Sequence, residues 1–164
     1  LGNVINVNDD SNSKTNAALA NGLNYVGKEI TYKSELFNYD GTKPVQMSIN
    51  VSDGANQGTL QIFNKQGTLV FEDKDIADRS GTRGFLWNGF DKDGVKAPNG
   101  QYTVKLNVTN TAGDKVDADA SFVGVGQSVL SSGSAVSIEV NNTGVPLSNI
   151  MQVRPVPVVA TTGT

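Results

Sequence analysis

Val45, Met47, Ile49 and Val51 alternate strictly with Gln46, Ser48 and Asn50 in "PVQMSINV". A period of two is the mark of a half-buried strand and is incompatible with an amphipathic helix, so this segment predicts a strand with one face in a core. The pattern then repeats. "GTLQIFNKQGTLVFED" predicts a hairpin in which Leu60 and Ile62 lead in, Lys65-Gln66-Gly67 turn, and Leu69 and Phe71 return. "GFLW" and "QYTVKLNV" (Tyr102, Val104, Leu106, Val108) predict two more strands, and after the turn "TNTAGDK" a further one runs from Val116 to Val125.

Residues 41–120 thus carry about six or seven short strands with turn signals roughly every 8–12 residues. That is the signature of a β-sandwich of immunoglobulin or fibronectin type III kind, able to close on itself. Two strand-rich flanks are left over, 23–40 and 121–153. The first alternates through Tyr25-Val26, Ile30, Tyr32, Leu36 and Tyr39 before Asp40-Gly41 breaks it. Each flank is too short to own a core. The economical expectation is that they pair as one small, discontinuous β-barrel into which the 41–120 sandwich is inserted.

Outside these segments, residues 1–22 read as a linker, because Val4, Ile5 and Val7 give way to small polar residues that cannot repay the entropy of ordering. Within it, residues 16–23 predict a turn or two of helix ending at Gly22. Residues 154–164, with Pro155 and Pro157 in alternation, predict an extended tail. Leu1 in place of Met predicts a fragment whose N-terminal part lies upstream.

Composition agrees with an all-β class: 18 Gly, 7% aromatic and 18% charged residues, with Asn, Thr, Ser and Val throughout. The net charge of −3 and the lack of any basic run argue against a nucleic-acid partner. No stretch approaches the roughly 20 apolar residues of a spanning helix, so no membrane insertion is expected.

There is no Cys and no His. Disulfides and thiolate chemistry are excluded, and with them the commonest general base and the commonest metal ligand. Asp91-Lys92-Asp93-Gly94 resembles the start of a calcium loop. In that alignment, however, Gly89 occupies the first ligand position and Gly100 the place of the bidentate Glu. Turn-stabilising roles for Asp91 and Asp93 are the expectation. Ser131-Ser132-Gly133-Ser134 has no His to activate a nucleophile, and "GVGQSV" lacks the Lys and the strand-to-helix context of a phosphate loop. No catalytic residue, cofactor or metal is predicted, and the chain is read as a non-enzyme.

The single Trp lies in "GFLWNGFDKDGVKAPNGQYTVKLNV" and admits two readings. In one, Trp87 ends a strand, packs with Phe85 and Tyr102, and gives its indole N–H to a carbonyl of the turn-rich loop that follows. In the other, it is an exposed platform for a sugar or a partner, helped by Asn88 and Asp91.

The same segment resembles the "WDG…PxGxY" stretch of the flagellar hook-capping family, the hook assembly scaffolds also called basal-body rod modification proteins. Trp87-Asn88-Gly89, Gly94, Ala97-Pro98-Asn99-Gly100 and Tyr102 fall in register. "LNYVGKEITY", centred on Val26-Gly27-Lys28, is similar to that family's "LIGKxV" segment, and "FVGVGQSVL" through "VPLSNIMQV" is similar to its closing segment. Asn88 replaces the usual Asp, and Val125-Gly126-Gln127 blurs the closing motif.

The motif residues carried by this resemblance are Val26, Gly27, Lys28, Phe85, Trp87, Asn88, Gly89, Gly94, Pro98, Gly100 and Tyr102. The resemblance implies a sandwich inserted into a tudor-like barrel. It also implies a cap at the tip of the growing hook that lets exported hook subunits fold and polymerise. The implied partners are the hook protein, rod and cap neighbours, and further copies of the chain. The implied location is the extracellular hook tip, reached from the cytoplasm through the flagellar secretion apparatus, with the export signal upstream of Leu1. The competing reading is a carbohydrate-binding or adhesin-like sandwich of a secreted bacterial protein.

Overall fold

In chain order the strands are β1 (Glu29–Lys33), β2 (Leu36–Tyr39), β3 (Val45–Val51), β4 (Gln57–Asn64), β5 (Leu69–Asp73), β6 (Gly81–Trp87) and β7 (Gly100–Thr109). They continue with β8 (Ala118–Ser132), β9 (Ala135–Val140), β10 (Thr143–Pro146) and β11 (Ile150–Arg154), with a 3₁₀ turn over Leu147–Asn149 and a short helix over residues 19–23. These come from a computed structural model that describes residues 19–76, 80–133 and 135–157. The chain divides into two units, Lys33–Phe122 and the described parts of Leu1–Tyr32 with Val123–Thr164.

In the central unit, Lys33–Phe122, one sheet has the order β2-β7-β4-β5. The other joins β6, β3 and the first residues of β8, and every pairing in both is antiparallel. Alternation does the folding here. Met47, Ile49 and Val51 of β3 are buried while Gln46 and Asn50 face water, and Leu60, Ile62, Tyr102, Val104 and Val108 fill the facing side. Two antiparallel sheets sharing their apolar faces make the expected sandwich.

β2 is a correction. Leu36–Tyr39, expected in the first flank, pairs instead with β7 in the register Leu36↔Thr103 to Tyr39↔Gly100 and sends Phe37 and Tyr39 into the core of the central unit. Alternation reports that a face is buried, not which body buries it. A second difference is that β8 runs unbroken through residues 120 and 121, where a boundary was expected.

In the other unit the strand order is β10-β9-β8-β1-β11 around Ile30, Tyr32, Ile138, Val140 and Val145. β9 and β10 meet at Thr143↔Val140, leaving Asn141 and Asn142 as a two-residue turn with φ 52° and 59°. Positive φ at both positions is the type I′ geometry that matches strand twist, and Asn tolerates it. The Asn141 amide donates to the Tyr32 hydroxyl (3.0 Å) and to the Val123 carbonyl (3.2 Å), so the β9–β10 turn is tied to β1 and β8.

The helix passes through Gly22 instead of ending there. Gly22 is buried, and a Cβ on it would lie 2.9 Å from Val129 Cγ1, so close packing explains the glycine. The expected linker is therefore helical over 19–22, and its residues 1–18 lie outside the described residues. Of the expected tail, Arg154 closes β11 opposite Glu29, and residues 158–164 lie outside the described residues. No helix among the described residues is long and apolar enough to cross a membrane.

Candidate functional site

β6 pairs with β3 in the register Val45↔Trp87, which places Trp87 at the end of the strand on its inward face. The side chain is 1% exposed. Its ring sits against Phe37 (5.8 Å, edge-on), Tyr39 (5.1 Å) and Tyr102 (5.0 Å), all drawn from the facing β2-β7-β4-β5 sheet. The indole N–H donates to the Phe90 carbonyl at 3.0 Å. Trp87 is thus an internal anchor whose one polar atom is spent on the loop, and it offers no exposed platform.

Phe85 is the exception to the expected cluster. It is half-buried and its ring neighbour is Phe71 at 5.9 Å. Two residues of strand displace it by about 7 Å from Trp87, which brings it beside β5. The missing members are Phe37 and Tyr39. Their alternation in "LFNYDG" was visible, but their partner was not.

From Trp87 the loop closes on itself. Asn88 Oδ1 accepts the Phe90 N–H (3.2 Å), and Asp91 Oδ1 accepts those of Asp93 (2.9 Å) and Val95 (2.8 Å). The Ala97 N–H reaches back to the Gly89 carbonyl, and the Lys92 N–H donates to the Val70 carbonyl of β5, both at 2.8 Å. At the far end the Tyr102 hydroxyl donates to the Pro98 carbonyl at 2.6 Å. Asn88 keeps the acceptor that an Asp would supply there. The Asp91 carboxylate is engaged in turns, as the failed calcium pattern implied, and no group of three or more metal-ligating side chains occurs among the described residues.

Gly89 is the tightest point of the loop. Its φ is 84°, and a Cβ on it would overlap the Tyr39 hydroxyl, which is buried without a hydrogen-bond partner among the described residues. Gly94 and Gly100 also hold positive φ, 77° and 153°, with open space where a Cβ would point.

Val26-Gly27-Lys28 works differently. The Gly27 N–H donates to the Gly126 carbonyl (2.8 Å) and the Gly126 N–H to the Lys28 carbonyl (3.0 Å), while the side chains of Val26 and Lys28 face water. A Cβ on Gly126 would overlap the Tyr25 carbonyl oxygen. Next to it the β8–β9 register shifts between Gly126 and Ser128, bulging Gln127, whose side-chain oxygen accepts the Asn142 N–H at 3.3 Å. The blurred closing motif is therefore a bulge beside a backbone clasp.

The titratable groups that depart from their ordinary values move away from neutrality. Burial, reinforced by neighbouring Tyr39, pushes the Tyr102 hydroxyl up; burial also raises that of Tyr32, against the hydrogen bond from Asn141. The backbone N–H groups of Lys43 and Thr42, each 2.8 Å from Asp40 Oδ1, hold the Asp40 carboxyl below the ordinary range. These shifts keep the two phenols neutral and the Asp40 carboxylate charged; none produces a group tuned for proton transfer near neutral pH.

Residues 34–112 match the family model described as the FlgD Ig-like domain. None of the curated proteins matches the chain. Among solved structures, FlgD from P. aeruginosa superimposes with a TM-score of 0.66 at 18% identity, covering 79% of this chain and 98% of that one. FlgD from Xanthomonas campestris, whose structure is described as giving insights into the hook capping essential for flagellar assembly, gives 0.65 at 23% identity, with 83% and 99% covered. At such identities the structures establish a shared fold, and the family model supplies the kinship. Residues 34–112 thus match the FlgD Ig-like domain, and the chain around them shares the fold of these FlgD structures.

Proposed function

We propose that this chain is part of a scaffold for flagellar hook assembly, a cap that holds exported hook subunits at the tip of the growing hook while they fold and join the lattice. The observation that carries the reading is the FlgD Ig-like domain match over 34–112 within a fold shared with two FlgD structures, one of them described for its hook capping. The internal spending of Trp87, Asn88, Asp91 and Tyr102 on one loop is in keeping with a scaffold, in which a rigid body presents surfaces. On this reading the partners are the hook protein, the neighbouring rod and cap components and further copies of the chain. The site of action is the extracellular hook tip, reached by flagellar export. The unit that holds β1 and β8–β11 is read as the family's tudor-like barrel.

The test is genetic. Removing the segment that encodes these residues from the native bacterium should abolish hooks in electron micrographs while hook protein still reaches the medium. Hooks of normal length and number in that strain would overturn the proposal.

A further inference from the structure

On the outward face of the β2-β7-β4-β5 sheet lies a concavity of about 470 Å³ lined by Phe63, Lys65, Gln101, Thr103, Lys105 and Glu35, together with Asn64 and Gly67 of the β4–β5 turn. Its position follows from register. Phe63 pairs with Thr103 and Gln61 with Lys105, while the intervening Ile62 and Val104 are buried, so these side chains share the solvent side. Leu36, 41% exposed, pairs with Thr103 from the other flank and extends the row. The Lys105 ammonium lies 6.0 Å from the centre of the Phe63 ring.

The charges of this hollow are unspent. Elsewhere Lys33 pairs with Asp119, Lys74 with Glu72 and Arg154 with Glu29, but neither Lys65 nor Lys105 forms an ion pair among the described residues. Two ammonium groups against one carboxylate, Glu35, leave a local positive excess in a chain whose net charge is −3. An aromatic floor, a positive excess and amide and hydroxyl groups of Asn64, Gln101 and Thr103 describe a receptor for a short peptide with a carboxylate beside an apolar side chain. A sugar stacked on Phe63 would need the ring face that Lys105 covers, whereas a carboxylate draws that ammonium towards itself.

We propose that this concavity docks an acidic segment of a partner polypeptide, with its carboxylate set between Lys65 and Lys105 and its apolar neighbour on Phe63. Because the whole chain is acidic, long-range attraction is absent and binding relies on contacts inside the screening length of about 8 Å. Such contacts form and break quickly, which suits a partner that must be handed on. The inference rests on the hook-assembly reading only for the source of that segment, an exported subunit.

The probe is an acetylated, amidated pentapeptide of two glutamates flanking a leucine between terminal glycines, titrated into the ¹⁵N-labelled full chain. Amide shifts should cluster at residues 63–67 and 101–105. The glutamine version should bind more weakly, and Lys65→Glu or Lys105→Glu should each cost about 3- to 5-fold in affinity. Both lysines are exposed, so an unchanged melting temperature verifies that the variants fold. Equal binding of the glutamine peptide, shifts elsewhere on the chain, or indifference to both charge reversals would overturn the inference. Hook-protein monomer that binds the parent and the double charge-reversal variant alike would overturn it too, while leaving the hook-assembly reading intact.

Discussion

Two segments that resemble the same family hold their shape by opposite means. The 87–102 loop is fixed by side chains: the Trp87 ring among Phe37, Tyr39 and Tyr102, with indole, carboxamide, carboxylate and phenol each bonded to backbone. The Val26-Gly27-Lys28 segment is fixed by its backbone, through bonds to Gly126 that no side chain takes part in. The contrast teaches where mutations should hurt. A side-chain anchor fails when atoms are removed, a backbone clasp when atoms are added.

The largest effect is expected at the anchor. Trp87→Ala removes a buried ring and should cost about 3–5 kcal/mol, read as a large fall in melting temperature with loss of near-ultraviolet circular dichroism. Parent-like melting would break the comparison at once. Gly89→Ala comes next at roughly 2–4 kcal/mol, since it combines positive-φ strain with overlap onto the Tyr39 hydroxyl. Tyr39→Phe removes the overlapping oxygen and an unpaired buried hydroxyl, so the double variant should regain part of that loss. A purely additive cycle would show that the contact is not the cause.

In the clasp, Gly126→Ala should cost about 1–3 kcal/mol because the added methyl meets the Tyr25 carbonyl, while Val26→Ala and Lys28→Ala should stay within about 0.5 kcal/mol. Chemical denaturation of the three variants decides. If the two side-chain deletions cost as much as Gly126→Ala, the clasp is not made by backbone. Gly27→Ala and Gly94→Ala, with positive φ and open space, sharpen the scale at about 1–2 kcal/mol each.

Tyr102→Phe has a smaller effect, about 1 kcal/mol for the bond to Pro98, and it adds a pH signature. The folded state raises the Tyr102 and Tyr32 hydroxyls above their unfolded values. Their contribution is therefore complete below the unfolded value of about 10 and is lost as pH climbs through the folded values. Melting temperature should fall more steeply above pH 10 in the parent than in Tyr102→Phe or Tyr32→Phe. Identical alkaline profiles would show that these hydroxyls carry no such linkage.

Much of this was legible in the chain. The alternation of Val45 to Val51, the Lys65-Gln66-Gly67 hairpin and the placing of Trp87 at a strand end with its N–H on a loop carbonyl all follow from period and turn chemistry, which are local properties. So does the turn role of Asp91, since an Asx acceptor needs only its own next few residues. What stayed hidden depends on partners distant in sequence. Phe37 and Tyr39 belong to the central core because β7 lies 60 or so residues downstream, and no periodicity names that partner.

Gly22, Gly89 and Gly126 look alike in the sequence, yet each is required by a different remote atom, in Val129, Tyr39 and Tyr25. Within residues 41–120 the sequence by itself determined most of the strands, their apolar faces and the turns between them, because those are set by sterics and solvation within a few residues. Only the tertiary structure decided which unit claimed β2, that Phe85 would turn to Phe71 instead of Trp87, and that one family motif would be held by rings and the other by backbone. Those outcomes are fixed when sheets pack, by contacts whose free energy belongs to pairs of segments and to neither segment alone.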